Sequence, residues 1–67
     1  EVYFDRSNHS LVFYKGGDIQ IINAAGVTVV SCESESGRMN LSQLPAGLYI
    51  ARVVTEEGKT IQIKFIK

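Results

Sequence analysis

One histidine lies in a polar stretch whose side chains could carry out acid–base chemistry or bind a metal. His9 is the only histidine of the 67 residues, and it follows Asp5, Ser7 and Asn8. An imidazole close to a carboxylate can act as a general base or as a metal ligand. Either chemistry requires further groups, and no cysteine or second histidine lies nearby in the sequence. We therefore interpret His9 as a solvated turn residue.

The single thiol is the second group with potential chemistry. Cys32 is the only cysteine, so it cannot form an internal disulfide. A cysteine nucleophile needs a base and a group that orients that base, and the sequence supplies no convincing pair. We interpret Cys32 as a thiol at the end of a strand.

Three acidic residues form the third group. Asp18, Glu33 and Glu35 could supply oxygens to a calcium ion. The spacing of aspartates that forms a calcium-binding loop is absent, so we interpret the glutamates as hydrated residues of a loop. With no catalytic constellation and no metal set, the sequence predicts a protein that is not an enzyme and needs no cofactor.

The elements that carry these residues are predicted to be strands. β-prone runs recur roughly every 8–12 residues between turn signals, which is typical of a sandwich or a barrel. No window shows the apolar spacing of a helix. We predict one all-β domain over residues 1–67, a small Ig-like antiparallel β-sandwich of about seven strands. The predicted strands are 2–5, 10–14, 19–23, 27–31, 38–42, 48–55 and 60–67, with a tight hairpin at Lys15–Asp18 and a loop at Cys32–Gly37.

The stretch Leu41–Val54, which reads LSQLPAGLYIARVV, is predicted to contain a corner and the central strand. Pro45 fixes its own φ, and Gly47 can adopt a positive φ, so the chain should turn before Leu48. Beyond the corner, Tyr49 and every second residue after it should share the buried side of the strand.

Size and charge limit the function classes. A chain of 67 residues is marginal as an independent fold, with roughly 3–5 kcal/mol of net stability. Seven basic and seven acidic residues give no net charge, so neither nucleic acid nor an anionic membrane is favoured as a partner. No apolar run approaches the ~18 residues of a membrane span. We expect a C-terminal module of a longer protein.

Some apolar residues fall on the side of their strands that faces away from the predicted core. These are Ile22, Val30, Ile50 and Val54. In a small two-sheet fold such residues can be partly buried at the ends of the sheets. They can also form a patch that docks on a neighbouring domain or on a receptor. Both interpretations remain open at this stage.

Three segments resemble one known family, the C-terminal sorting domains of proteins exported by the Bacteroidetes type IX (Por) secretion system. They are Gly16–Ser31, Met39–Val54 and Glu57–Lys67. The second segment carries a signature of Leu, Pro, x, Gly, x and Tyr, here Leu44, Pro45, Gly47 and Tyr49. Members of the family usually begin with an Asn-Pro segment, whereas Val2–Tyr14 contains no proline.

The resemblance implies a non-catalytic sorting domain on a larger secreted or surface protein. In that family the domain guides its cargo through the periplasm and across the outer membrane, and it is commonly removed afterwards. The partner would be the outer-membrane secretion machinery. We expect Gly47 and Tyr49 to shape the fold, and Lys64, Ile66 and Lys67 to be presented to the translocon.

Two alternative functions belong to other classes of protein, an accessory module and a carbohydrate-binding module. An accessory β-sandwich could pack through Ile22, Ile50 and Val54 against a catalytic or glycan-binding neighbour. A carbohydrate-binding module would need exposed aromatic side chains on one platform. The tyrosines are Tyr3, Tyr14 and Tyr49, and Tyr49 is predicted to be buried, so this alternative ranks last.

Overall fold

The computed structural model describes residues 2–14, 16–34 and 37–67, which form seven strands and no helix. This confirms the predicted all-β class. The strands are β1 Val2–Asp5, β2 Ser10–Phe13, β3 Gly17–Asn23, β4 Thr28–Ser34, β5 Gly37–Asn40, β6 Leu48–Thr55 and β7 Thr60–Ile66.

The strands form two antiparallel sheets. One has the order β1-β2-β5, and the other has the order β4-β3-β6-β7. Ig-like sandwiches also have their first, second and fifth strands in one sheet and their third, sixth and seventh strands in the other. Here the fourth strand joins the second sheet. The Phe4 and Phe65 rings stack with centroids 4.5 Å apart, which connects β1 to β7 across the two sheets. The predicted sandwich is confirmed.

The core lies between the two sheets and follows the alternation of the strands. In β6, Tyr49, Ala51 and Val53 are buried while Leu48 and Arg52 are exposed, as the sequence predicts. Burial of each large aliphatic or aromatic core side chain stabilises the fold by roughly 1.5–3 kcal/mol. The buried core residues are Leu11, Phe13, Ile19, Ile21, Leu41, Tyr49, Ala51, Val53 and Phe65. Val30 lies opposite Ile21 and packs against this core, so the expectation that it faces away from the core is wrong.

The predicted hairpin at Lys15–Asp18 is wrong. β2 pairs with β1 on one edge and with β5 on the other, so β3 has no free edge of β2 to pair with. The chain instead crosses to the second sheet, where Gly17 lies opposite both Ser34 and Thr55. Lys15 is outside the described residues.

Gly17 allows a close approach between strands. Its φ is +153°, and a Cβ atom there would collide with the carbonyl oxygen of Val54 and lie 2.9 Å from the Cα of Thr55. A side chain at this position would therefore push β3 away from β6.

The predicted loop at Cys32–Gly37 is also wrong in part. β4 continues to Ser34 and β5 begins at Gly37, while Glu35 and Ser36 lie outside the described residues. Cys32 is an exposed thiol within β4, opposite Ile19. Backbone pairing with β3 extends the strand through a sequence whose polar composition favours a loop.

Candidate functional site

The Pro-Ala-Gly corner is closed by a hydrogen bond from a tyrosine. The Tyr49 hydroxyl donates to the carbonyl oxygen of Pro45 at 2.6 Å, and its buried ring packs on Phe65 with centroids 5.7 Å apart. A tyrosine near the start of the sixth strand that donates to the backbone upstream is the tyrosine corner of Ig-like domains. Gly47, with φ +155°, lies between the two bonded residues. The corner predicted from Pro45 and Gly47 is therefore a hydrogen-bonded unit.

The last residue of the sequence is bound to this corner. The Lys67 ammonium donates to the carbonyl oxygen of Leu44 at 2.6 Å and approaches that of Ser42 at 3.4 Å. The Lys67 backbone pairs with Gly47 through N–H to O bonds of 2.8 and 3.1 Å. These contacts join two segments that lie 20 to 25 residues apart in the sequence. We name Leu44, Pro45, Gly47, Tyr49 and Lys67 the corner–tail site.

Apolar side chains continue from this site across the outer face of the four-stranded sheet. Leu48 lies opposite Ile66, and Ile50 lies between Ile22 and Lys64. Leu48 and Ile66 are 41% and 58% exposed, while Ile22 and Ile50 are half-buried. We name Ile22, Leu48, Ile50, Lys64 and Ile66 the outer patch. Lys64 and Ile66, which are predicted to be presented to the translocon, therefore share one surface with Ile22 and Ile50, which are predicted to form a docking patch.

The pairing places Val54 apart from the outer patch. It lies on the same face, but opposite Asp18 and Thr60, at the far end of the sheet. A row of three paired polar residues lies between Val54 and Ile50, namely Gln20, Arg52 and Gln62. Leu48, conversely, is a patch residue that the sequence analysis did not name, although its alternation with Tyr49 places it on the outer side.

The residues around His9 form a turn. His9 is exposed and adopts a φ of +52°. The Asp5 carboxylate accepts hydrogen bonds of 3.0 Å from the Ser7 N–H, the Asn8 amide and the Arg38 guanidinium. The bond from Asn8, and after it the one from Arg38, lowers the pKa of Asp5 from 3.8 to about 2. The carboxylate therefore orders this turn and holds Arg38.

The acidic residues do not form a metal site within the described ranges. Asp18 and Glu33 lie opposite each other on β3 and β4, and Glu35 falls outside those ranges. Over residues 2–14, 16–34 and 37–67 no group of three or more His, Cys, Asp or Glu side chains could hold a metal ion. The same residues contain no helix that is long and apolar enough to cross a membrane.

Comparison with known proteins adds one finding. A family model described as a secretion system C-terminal sorting domain matches residues 3–67. The matched range contains the corner–tail site and the outer patch, and it also contains the N-terminal strands that lack the family's usual proline. No curated protein and no solved structure matches the chain.

Proposed function

The chain belongs to the secretion system C-terminal sorting domain family, and on this basis we propose that it directs a larger cargo protein across the outer membrane to the cell surface. The family is a type IX export signal, and its members belong to proteins that are secreted or exported to the surface. In this proposal the cargo passes through the periplasm, and the domain itself catalyses no reaction.

The observation that carries the proposal is the bond between two of the segments that resemble the family, the one with the corner and the one that ends at Lys67. Lys67 follows the last strand directly, and its ammonium contacts the carbonyl oxygen of Leu44 in the corner. A charge-assisted bond of this kind holds the end of β7 in one position. An export receptor that reads a folded domain would then meet the corner and the last strand as one rigid unit.

The surface we propose for the receptor is the outer patch. Ile66 and Leu48 expose apolar side chains side by side next to the corner–tail site. Contiguous exposed apolar residues of this kind mark interaction surfaces. Lys64, which is exposed on the same face, adds a positive charge that can fix the orientation of a partner.

A reporter assay tests the proposal. Residues 1–67 are fused to the C-terminus of a periplasmic reporter in a bacterium with a type IX system, and the reporter is measured at the cell surface. We expect Ile66→Ser to lower surface reporter by about tenfold, as loss of an interface residue does. Val27→Ser is the matched control, because Val27 is 55% exposed and lies outside the patch. Wild-type export by both Ile66→Ser and Ile50→Ser, with unchanged amounts of protein, would contradict the proposal.

A second function is favoured by the aliphatic character of the same patch. The domain could pack as an accessory module against a neighbouring catalytic or glycan-binding domain, with Ile22 and Ile50 in the contact. Ile50→Ser would then lower the melting temperature of the full-length protein by more than that of the separate domain, in which Ile50 is half-buried, and export would continue. Equal melting temperatures of wild-type and variant full-length protein would rule this function out.

A further inference from the structure

The outer face of the three-stranded sheet carries two exposed tyrosines beside an arginine. Tyr3 lies opposite Val12, which lies opposite Arg38 on the other side. Tyr14 follows Val12 by two residues, and Tyr3 and Tyr14 are 50% and 66% exposed. Val12, Tyr14 and Arg38 border one shallow depression of about 410 Å³. We name Tyr3, Val12, Tyr14 and Arg38 the tyrosine platform.

The arginine of this platform is held in place and its charge is balanced. Arg38 Nη1 donates to Asp5 Oδ2 at 3.0 Å. Asp5 is in turn fixed by the Ser7 N–H and the Asn8 amide. The ion pair leaves the platform without net charge. A guanidinium has five N–H groups, so Arg38 can donate to a ligand while it remains bonded to Asp5.

The two outer faces of the sandwich differ in chemistry. The face of the four-stranded sheet exposes aliphatic side chains at the outer patch. The platform instead exposes aromatic rings. The next row of paired residues is polar, with Asp5 opposite the buried Ser10 and Ser10 opposite Asn40. The composition of the platform therefore differs from that of the surface proposed for the export machinery.

We propose that the tyrosine platform binds a neutral, hydroxyl-rich polysaccharide. The faces of aromatic rings carry partial negative charge, which attracts the polarised C–H groups on the flat side of a sugar ring. The guanidinium of Arg38 and the two tyrosine hydroxyls can hydrogen-bond to sugar hydroxyl groups. From Tyr3 to Arg38 the platform crosses two strand spacings, about 10 Å. A ligand that contacts both sides is therefore longer than one sugar ring, and the open depression suits a polymer that lies across it.

Affinity electrophoresis tests this proposal independently of export. The 67-residue chain, fused to a carrier, is run in native gels that contain a soluble β-glucan, an α-mannan or a galactomannan, with alginate as the anionic comparison. We expect at least one neutral polymer to retard the protein. Tyr14→Ala should weaken the retardation by up to about tenfold, as loss of an aromatic contact does, and Tyr14→Phe should retain most of it.

Controls separate loss of binding from loss of fold. Both tyrosines are at least half exposed, so Tyr14→Ala and Tyr3→Ala should keep the wild-type melting temperature. Val27→Ser, which changes an equally exposed apolar residue away from the platform, should bind as the wild type does. Three results would overturn the proposal: no retardation by any neutral polymer, equal retardation of Tyr14→Ala, or retardation by alginate alone that disappears at high salt.

Discussion

Replacement of Lys67 by methionine removes the ammonium that joins the last strand to the corner. Lys67→Met keeps most of the side-chain length but loses the 2.6 Å bond to the carbonyl oxygen of Leu44 and the longer contact with Ser42. Hydrogen bonds from charged groups contribute about 1.5–3 kcal/mol. Because Lys67 is only half-buried, we expect the lower end of that range, about 1.5 kcal/mol, which in a domain of this size lowers the melting temperature by about 6–12 °C.

Urea unfolding followed by circular dichroism measures this change, and Lys64→Met is the matched control. Lys64 is exposed on the same strand, and a surface substitution of this type changes the free energy of unfolding by about 0.5 kcal/mol or less. Lys67→Arg should recover part of the loss, since its guanidinium still donates. Equal free energies of unfolding for Lys67→Met and Lys64→Met would refute the structural role of the ammonium.

Three further predictions concern the corner, a strand contact and a turn. Tyr49→Phe should lower the free energy of unfolding by about 1 kcal/mol in urea titrations, because it removes the bond to a carbonyl oxygen but keeps the ring; no change would argue against the tyrosine corner. Gly17→Ala should lower the free energy of unfolding by about 3 kcal/mol, because the new Cβ atom would collide with the backbone of β6. Gly26 also has a positive φ but lies in open space, so Gly26→Ala should lower it by only about 1 kcal/mol. Equal losses for the two variants would contradict the close approach of β3 and β6. The pKa of Asp5 in the folded state is lowered to about 2, so its charge stabilises the fold above about pH 4, and this contribution is lost as the pH falls toward about 2. Asp5→Asn should therefore make the melting temperature less dependent on pH in this range. An unchanged pH dependence of the melting temperature would refute the prediction.

The alternation of side chains predicts much of the fold. In β6 it separates Tyr49, Ala51 and Val53 from Leu48 and Ile50 correctly, because the side of a strand on which a residue lies depends only on local geometry. Pro45 and Gly47 place the corner correctly for the same reason, since both act through their own backbone dihedrals. The sandwich class follows from the number and spacing of such strands.

Long-range pairing could not be predicted in the same way. The two glycines near Lys15 give a local hairpin signal, but β2 has partners on both edges, and that depends on strands far away in the sequence. The bond from Lys67 to Leu44 and the pairing of Leu48 with Ile66 also join residues that are distant in the sequence, so local patterns do not predict them. Sequence alternation therefore identified most residues of the outer patch without showing that they are neighbours.

The sequence predicts individual residues for contact with the export machinery, and the structure shows how these residues are arranged. Lys64, Ile66, Ile22 and Ile50 share the outer patch with Leu48, whereas Val54 lies at the other end of the sheet. The recognition role of all these residues, and the docking role of Val54, remain predictions. From the sequence, carbohydrate binding ranks last among the functions because Tyr49, one of the three tyrosines, is predicted to be buried.

Site-specific photo-crosslinking in exporting cells tests the central claim most directly. A photoreactive amino acid is placed at Ile66, in the outer patch, or at Tyr3, an exposed position on the other sheet, in the reporter fusion. The account predicts an ultraviolet-dependent adduct with an outer-membrane component of the export machinery from position 66 and none from position 3. An adduct from position 3 alone, or none from position 66 while the reporter still reaches the surface, would contradict it.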